Sequence, residues 1–210
     1  MRAPALDSGD LPPTMPPLLA FDTSTELMSI AVGIDGEVLV HESAGGAQAS
    51  LVLIPAILAL LARAGTTIAQ LDAIAFGRGP GAFTGLRTSC AVAQGLAYGA
   101  GKPVVPVDTL LAVAEDARSG RSAARAWAVL DARMDEIYAA HYERTDGRWT
   151  TLLEPMLTTP DALNARWANE PPSLVAGNAL AAFGERLQTA DAVRAADALP
   201  RAAAILALAR

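Results

Sequence analysis

Three stretches of this chain carry residue types at spacings that could do chemistry. Asp22-Thr23-Ser24 closes an apolar run. A carboxylate at the end of a strand can serve a metal or a phosphate, or it can cap the turn made by the residues that follow it. Further on, Ala73-Ile74-Ala75-Phe76 breaks into glycines at 77, 79, 81 and 85 and re-emerges as a helix. Backbone N–H groups clustered ahead of a helix form an anion site, with Gly79, Gly81 and Thr84 as the contacts, and the same glycines would let a helix pack closely on a sheet. Arg87, one turn into that helix, could hold a carboxylate, a phosphate or the acidic side chain of another protein. The third stretch, Asp131-Ala132-Arg133-Met134-Asp135, gathers two acids and an arginine. Acid–base catalysis needs two carboxylates in one cleft, and spacing alone does not bring Asp22, Asp131 and Asp135 together.

Other reaction classes are poorly supplied. The glycine loop lacks the lysine of a phosphate-binding P-loop. Gly77-x-Gly79-x-x-Ala82 loosely fits a dinucleotide fingerprint, but Lys102 stands where the ribose-binding acid belongs and the opening hairpins do not suit that fold. His41 and His141, the only histidines, are not spaced as in HExxH and read as strand or surface residues. Cys90, the single cysteine, lies mid-helix among apolar neighbours and reads as core, and no serine sits in a G-x-S-x-G elbow. One cysteine permits no internal disulfide, which points to a reducing, cytoplasmic compartment. A net charge of −6 with one lysine argues against unaided binding of nucleic acid.

The elements that would position these residues can be followed along the chain. Residues 1–17 hold five prolines and no long apolar run, so they read as a disordered extension, with Met15 as an alternative start. Strands are expected at 18–24, 29–34 and 37–42, the last two joined by a hairpin at Asp35-Gly36. Residues 50–64 and 84–99 are helix-length and nearly chargeless, so each must be covered on both sides, either wholly within the monomer or by its own domain on one side and another chain on the other. Pro55 places the first helix's start near Ile54 or kinks it there. After a strand at 103–107 comes a helix capped by Asp108, and a boundary between lobes 18–107 and 108–210 is placed there, although no linker composition marks it and one continuous domain is the alternative. Beyond it come paired strands at 127–130 and 136–142, a hairpin at Asp146-Gly147 and a strand at 152–157. A helix at 160–168, a last strand at 173–176 and alanine-rich helices at 180–187 and from Arg201 complete the chain. No internal repeat is visible. The pattern is an α/β class with mixed sheets.

Asp22-Thr23-Ser24, then Gly79-Pro80-Gly81-Ala82-Phe83-Thr84-Gly85-Leu86-Arg87, then Asp131-Ala132-Arg133-Met134-Asp135-Glu136-Ile137-Tyr138, and finally Gly177-Asn178 stand in the order of one family. From Leu18 onward the chain closely resembles the TsaB (YeaZ) family, also labelled glycoprotease or peptidase M22-like, whose members help to make threonylcarbamoyladenosine at position 37 of tRNA. The resemblance implies a two-lobed, actin-like (ribonuclease-H-like) α/β fold. It implies a non-catalytic subunit that pairs with a TsaD-like catalytic subunit and a TsaE-like ATPase, meets tRNA only through the complex, and pairs with itself when alone. It implies no intrinsic cofactor and no metal, and admits ATP or ADP in the assembled complex.

The implied partner surface falls on Ser50, Leu53, Ile54, Ile57 and Leu61 of the first chargeless helix. On the second it falls on Thr84, Leu86, Arg87, Cys90, Ala93 and Ala97. An actin-like context also makes Asp22, Thr23, Ser24, Gly79, Gly81 and Thr84 candidates for nucleotide or anion binding, the alternative being an ATPase or phosphotransferase. A peptidase lacks its zinc site here. Two departures stand out: Ala49-Ser50 replaces the family's His-Ser, and the chain ends at Arg210 without the tail many relatives carry.

Overall fold

The computed structural model describes residues 16–118 and 124–210. The expected extension at 1–17 lies almost wholly outside the described residues, as does most of the polar patch at 118–125. The first lobe opens with β1 (Leu18–Asp22), β2 (Leu27–Ile34) and β3 (Glu37–Ala44), an antiparallel meander. Asp35 and Gly36 both take positive φ, as the tight hairpin between β2 and β3 requires. Next come α1 (Ala49–Arg63), β4 (Ala73–Gly77), α2 (Phe83–Ala100) and β5 (Val104–Val107). β4 pairs parallel to β1 and β5 parallel to β4, so the sheet order is β3-β2-β1-β4-β5.

After α3 (Thr109–Ala117) the same plan recurs. β6 (Ala124–Arg133), β7 (Glu136–Thr145) and β8 (Arg148–Thr158) form a second antiparallel meander. α4 (Pro160–Asn169), β9 (Leu174–Ala176), α5 (Ala179–Phe183), β10 (Val193–Ala195) and α6 (Ala202–Leu208) follow. β9 is parallel to β6 and β10 to β9, giving β8-β7-β6-β9-β10. The chain is therefore a topological duplication that its sequence does not display. Each half is ribonuclease-H-like, and the pair is the actin-like fold.

β1 is buried along its whole length because both sheet faces are covered. Leu19 and Phe21 face α1 and α2 together with Ile30 and Ile74, while Leu18 and Ala20 face Ala202, Ile205 and Leu206 of α6. The last helix thus lies on the first sheet. α3 joins the two lobes, with Ala112 packed toward α6 and Leu110 and Val113 toward the second sheet. The outer face of the second sheet is covered by α4 and α5, where Trp127 packs edge-on to Trp167. His141 is buried there and stacked on Trp127, with its pKa held below the ordinary histidine value by that burial.

Several expectations change. α1 runs unbroken through Pro55, which lies on the exposed side, where water can serve the carbonyl that loses its amide partner. β10 was not legible, since a three-residue edge strand is too short for any periodicity. The helix expected at 180–187 is α5 followed by a 3-10 turn, Gly184–Arg186.

Candidate functional site

The Asp22 turn and the glycine loop fit into one another. Asp22 Oδ1 accepts hydrogen bonds from the Ser24 amide and hydroxyl, both at 2.7 Å. Thr23 Oγ1 donates to the Gly85 carbonyl at 2.8 Å, so the Ser89 hydroxyl, 2.7 Å away, must be the donor to Thr23. Ala82 N–H donates to the Ser24 carbonyl at 2.8 Å. The absence of side chains makes this approach feasible: a Cβ on Gly85 would stand 1.8 Å from the Thr23 carbonyl oxygen, and one on Gly81 would stand 2.7 Å from Ser24 Cβ. Gly79 exchanges two hydrogen bonds with Thr109, tying the loop to the start of α3. Of the residues considered for anion contact, Asp22, Thr23, Ser24 and Gly79 are engaged by the chain itself. Gly81 lies against Ser24, and Thr84 is exposed.

Asp22 Oδ2 is buried without a hydrogen-bond partner among the described residues and lies against Gly77. Burial pushes this carboxyl up to about 6, against the lowering effect of the Ser24 hydrogen bonds. A raised folded-state pKa means that the fold prefers the neutral acid. Stability is therefore fully present below the unfolded pKa and declines as pH rises through the folded one. Asp22→Asn should accordingly gain stability over the wild type between about pH 4 and pH 6 and hold a constant advantage above, on the order of 3 kcal/mol. Urea unfolding of both proteins across that range checks this, and a difference that does not vary with pH would refute it.

Above this turn the lobes enclose a cleft of 340 Å³ lined by Ser24, Glu26, Gly81, Phe83, Asp131, Arg133, Tyr138 and Asn178, among others. Arg133 spans its mouth, 2.9 Å from Glu26 of the first lobe and 3.0 Å from Asp131 of the second. Asn178 Oδ1 accepts from the Asp131 amide at 2.9 Å, which explains the pairing of two distant sequence motifs. The three candidate acids do not meet. Asp131 reaches the cleft, Asp22 lies beneath Ser24, and Asp135 is paired outside with Arg186. Glu26 and Tyr138 were not singled out as site residues, because their place depends on the approach of the two lobes.

The two chargeless helices lie side by side over the first sheet. Leu53, Ile57 and Leu61 of α1, and Ala93 and Ala97 of α2, are buried in the chain's own core, so their side chains are not available to a partner. Ser50, Ile54, Thr84 and Arg87 are exposed, while Leu86 and Cys90 are half-buried. The face left open also includes residues that were not singled out, notably Leu51 at 77% exposure, Leu58 at 50% and Tyr98 at 92%. Helical spacing carried that signal, since 51, 54 and 58 fall between the inward positions 53, 57, 60 and 61. Ala49, at the departure from the family's His-Ser, is buried at the start of α1.

A family model described as TsaD, tRNA N6-adenosine threonylcarbamoyltransferase, matches residues 40–199. The solved structure of YeaZ from Pseudomonas aeruginosa superposes with a TM-score of 0.84 at 36% identity, covering 93% of this chain and 91% of that one. The chain belongs to the TsaB (YeaZ) family. The tRNA threonylcarbamoyladenosine biosynthesis protein TsaB of Escherichia coli K12 is 41% identical over 133 residues, 63% of this chain and 58% of that protein. The TsaB protein of Haemophilus influenzae is 39% identical over 153 residues, 69% of this chain and 64% of the relative. The matched segments thus span less than two thirds of these two relatives. Within this TsaB-family chain, no group of His, Cys, Asp and Glu residues among the described residues is arranged to hold a metal ion. No helix there is long and apolar enough to cross a membrane.

Proposed function

We propose that this chain is a non-catalytic subunit in the synthesis of threonylcarbamoyladenosine on tRNA, pairing through α1 and α2 with a TsaD-type catalytic subunit. In this reading a TsaE-type ATPase joins the assembly and tRNA is met only through the complex. Family membership supports it, and one observation carries it: two adjacent helices expose leucine, isoleucine and tyrosine on one face with Arg87 as the charge among them. An apolar face of this kind on a folded domain marks a protein contact. The same face would let the isolated protein pair with itself.

A second reading, nucleotide binding in the interlobe cleft, rests on the orphaned Asp22 Oδ2 beneath it. The lining weighs against phosphate there, because Glu26 and Asp131 already take up Arg133. Reconstitution decides between the two. The first reading expects threonylcarbamoyladenosine synthesis by the TsaD-type subunit and its companions to depend on this chain, and calorimetry of the isolated chain with ATP and magnesium to show no heat. Full synthesis without the chain, together with no association, would refute the subunit reading. Measurable binding and turnover by the chain alone would establish the second.

A further inference from the structure

Arg87 stands on the exposed face of α2 with its guanidinium 3.7 Å from the centroid of the Phe83 ring. Phe83 is itself exposed, so the stack is held at the surface. Arg87 is part of the wall of a 360 Å³ hollow that it shares with Ser50 of α1 and Thr84, Thr88, Ala91 and Val92 of α2. Among the described residues no carboxylate pairs with Arg87, as is also the case for Arg63, Arg148, Arg166, Arg194 and Arg210, while Arg78, Arg125, Arg133, Arg186 and Arg201 each have an acidic partner. Neither α1 nor α2 contains an acidic residue.

We infer that Arg87 is a specificity determinant of this face, selecting a protein partner that places a carboxylate in the hollow over α1 and α2 and discriminating against a second copy of the chain. The inference rests on the docking role proposed above and names the chemistry of what docks. A cation covered by an apolar interface loses its water, and the loss is compensated only when the partner brings an anion with hydrogen bonds to match. Arg87 meets the geometric half of that requirement. The guanidinium carbon lies 3.7 Å over the Phe83 ring, and with no carboxylate paired to the group its N–H donors can form two parallel bonds to a partner's carboxylate. The hydroxyls of Ser50 and Thr84 at the hollow can donate to an oxyanion, whereas that of Thr88 already donates to the Thr84 carbonyl at 3.0 Å.

A second copy using the same two helices offers apolar surface and another guanidinium, but no carboxylate. Self-pairing therefore buries a charge that pairing with an acidic partner neutralises. This sets an order of affinities that the apolar face alone would not dictate.

The test compares wild type, Arg87→Glu and Arg87→Lys for binding to the TsaD-type subunit by calorimetry at low and high salt, with sedimentation for self-association. The exposed position of residue 87 keeps the melting temperatures of all three alike. Arg87→Glu should weaken partner binding at least about 30-fold and remove most of its salt dependence. Arg87→Lys should recover only part of the loss, since an ammonium lacks the planar fork that lies flat on a ring and matches both oxygens of a carboxylate. A partner variant with arginine in place of the matching acid should rescue Arg87→Glu. In sedimentation, an equimolar mixture of wild type and Arg87→Glu should associate more tightly than wild type alone. Wild-type binding that Arg87→Glu changes by less than about threefold would overturn the inference and leave the docking role standing. Absence of binding by the wild type would overturn both.

Discussion

Gly85→Ala should lower the unfolding free energy by at least about 3 kcal/mol and abolish whatever the chain does with a partner. The added Cβ would stand 1.8 Å from the Thr23 carbonyl oxygen and 2.7 Å from its carbon. Both obstacles are backbone atoms, so no rotamer change relieves the clash. To relax it, α2 must lift from the end of β1, breaking the Thr23 to Gly85 hydrogen bond and the contact of Thr23 with Ser89. The internal control is Gly95→Ala in the same helix, where a Cβ meets nothing within 4 Å. There the change should stabilise by about 0.5–1 kcal/mol, the usual gain when glycine leaves a helix interior. Urea unfolding followed by tryptophan fluorescence reads both. Equal stability of Gly85→Ala and the wild type would mean that the loop does not dock on the Asp22 turn as described.

The second large effect separates the two faces of α1. Ile54→Asp combined with Leu58→Asp should cost no more than about 1–2 kcal/mol of stability: Ile54 is 41% and Leu58 50% exposed, and the two new carboxylates repel one turn apart. Association with the TsaD-type subunit should fall at least about 100-fold, because two anions then replace apolar contacts in the covered surface. Ile57→Ala should do the reverse. Ile57 is fully buried against the first sheet, so its truncation should cost about 2–5 kcal/mol of stability. Any change in its partner binding should follow only from the loss of folded protein. Pull-down and calorimetry, alongside thermal melts, distinguish the cases. Partner binding that survives the double aspartate would remove α1 from the interface.

These pairs of neighbours show where sequence reading ends. Residues 54 and 57 have the same side chain and sit one turn apart, and composition marks both as belonging to a helix that must be covered. Which one the chain covers itself depends on where α1 lands on the sheet. Leu53, Ile57 and Leu61 meet Phe21, Ile30 and Ile74, leaving Leu51, Ile54 and Leu58 to solvent. Histidine 141 makes the same point inside the second lobe. Alternation along its strand puts it on the face of Ile137 and Ala139, but a histidine there reads equally as a surface residue until the stack on Trp127 and the cover from α4 bury it.

Local physics determined much from the chain alone. The glycine loop between a strand and a helix, the Asp35-Gly36 hairpin, the Asp108 cap and the two chargeless helices follow from short-range rules of conformation and patterning. The strand order in two mixed sheets does not, because pairing of β4 with β1, or of β9 with β6, joins segments far apart in sequence. The repeat of one topology in both halves is hidden for the same reason: a fold is preserved by burial and pairing that many sequences satisfy. The role of the glycines was likewise open between anion binding and packing. Only the tertiary structure supplies the packing reason at Gly81 and Gly85, where the space a side chain would need is filled by Thr23 and Ser24.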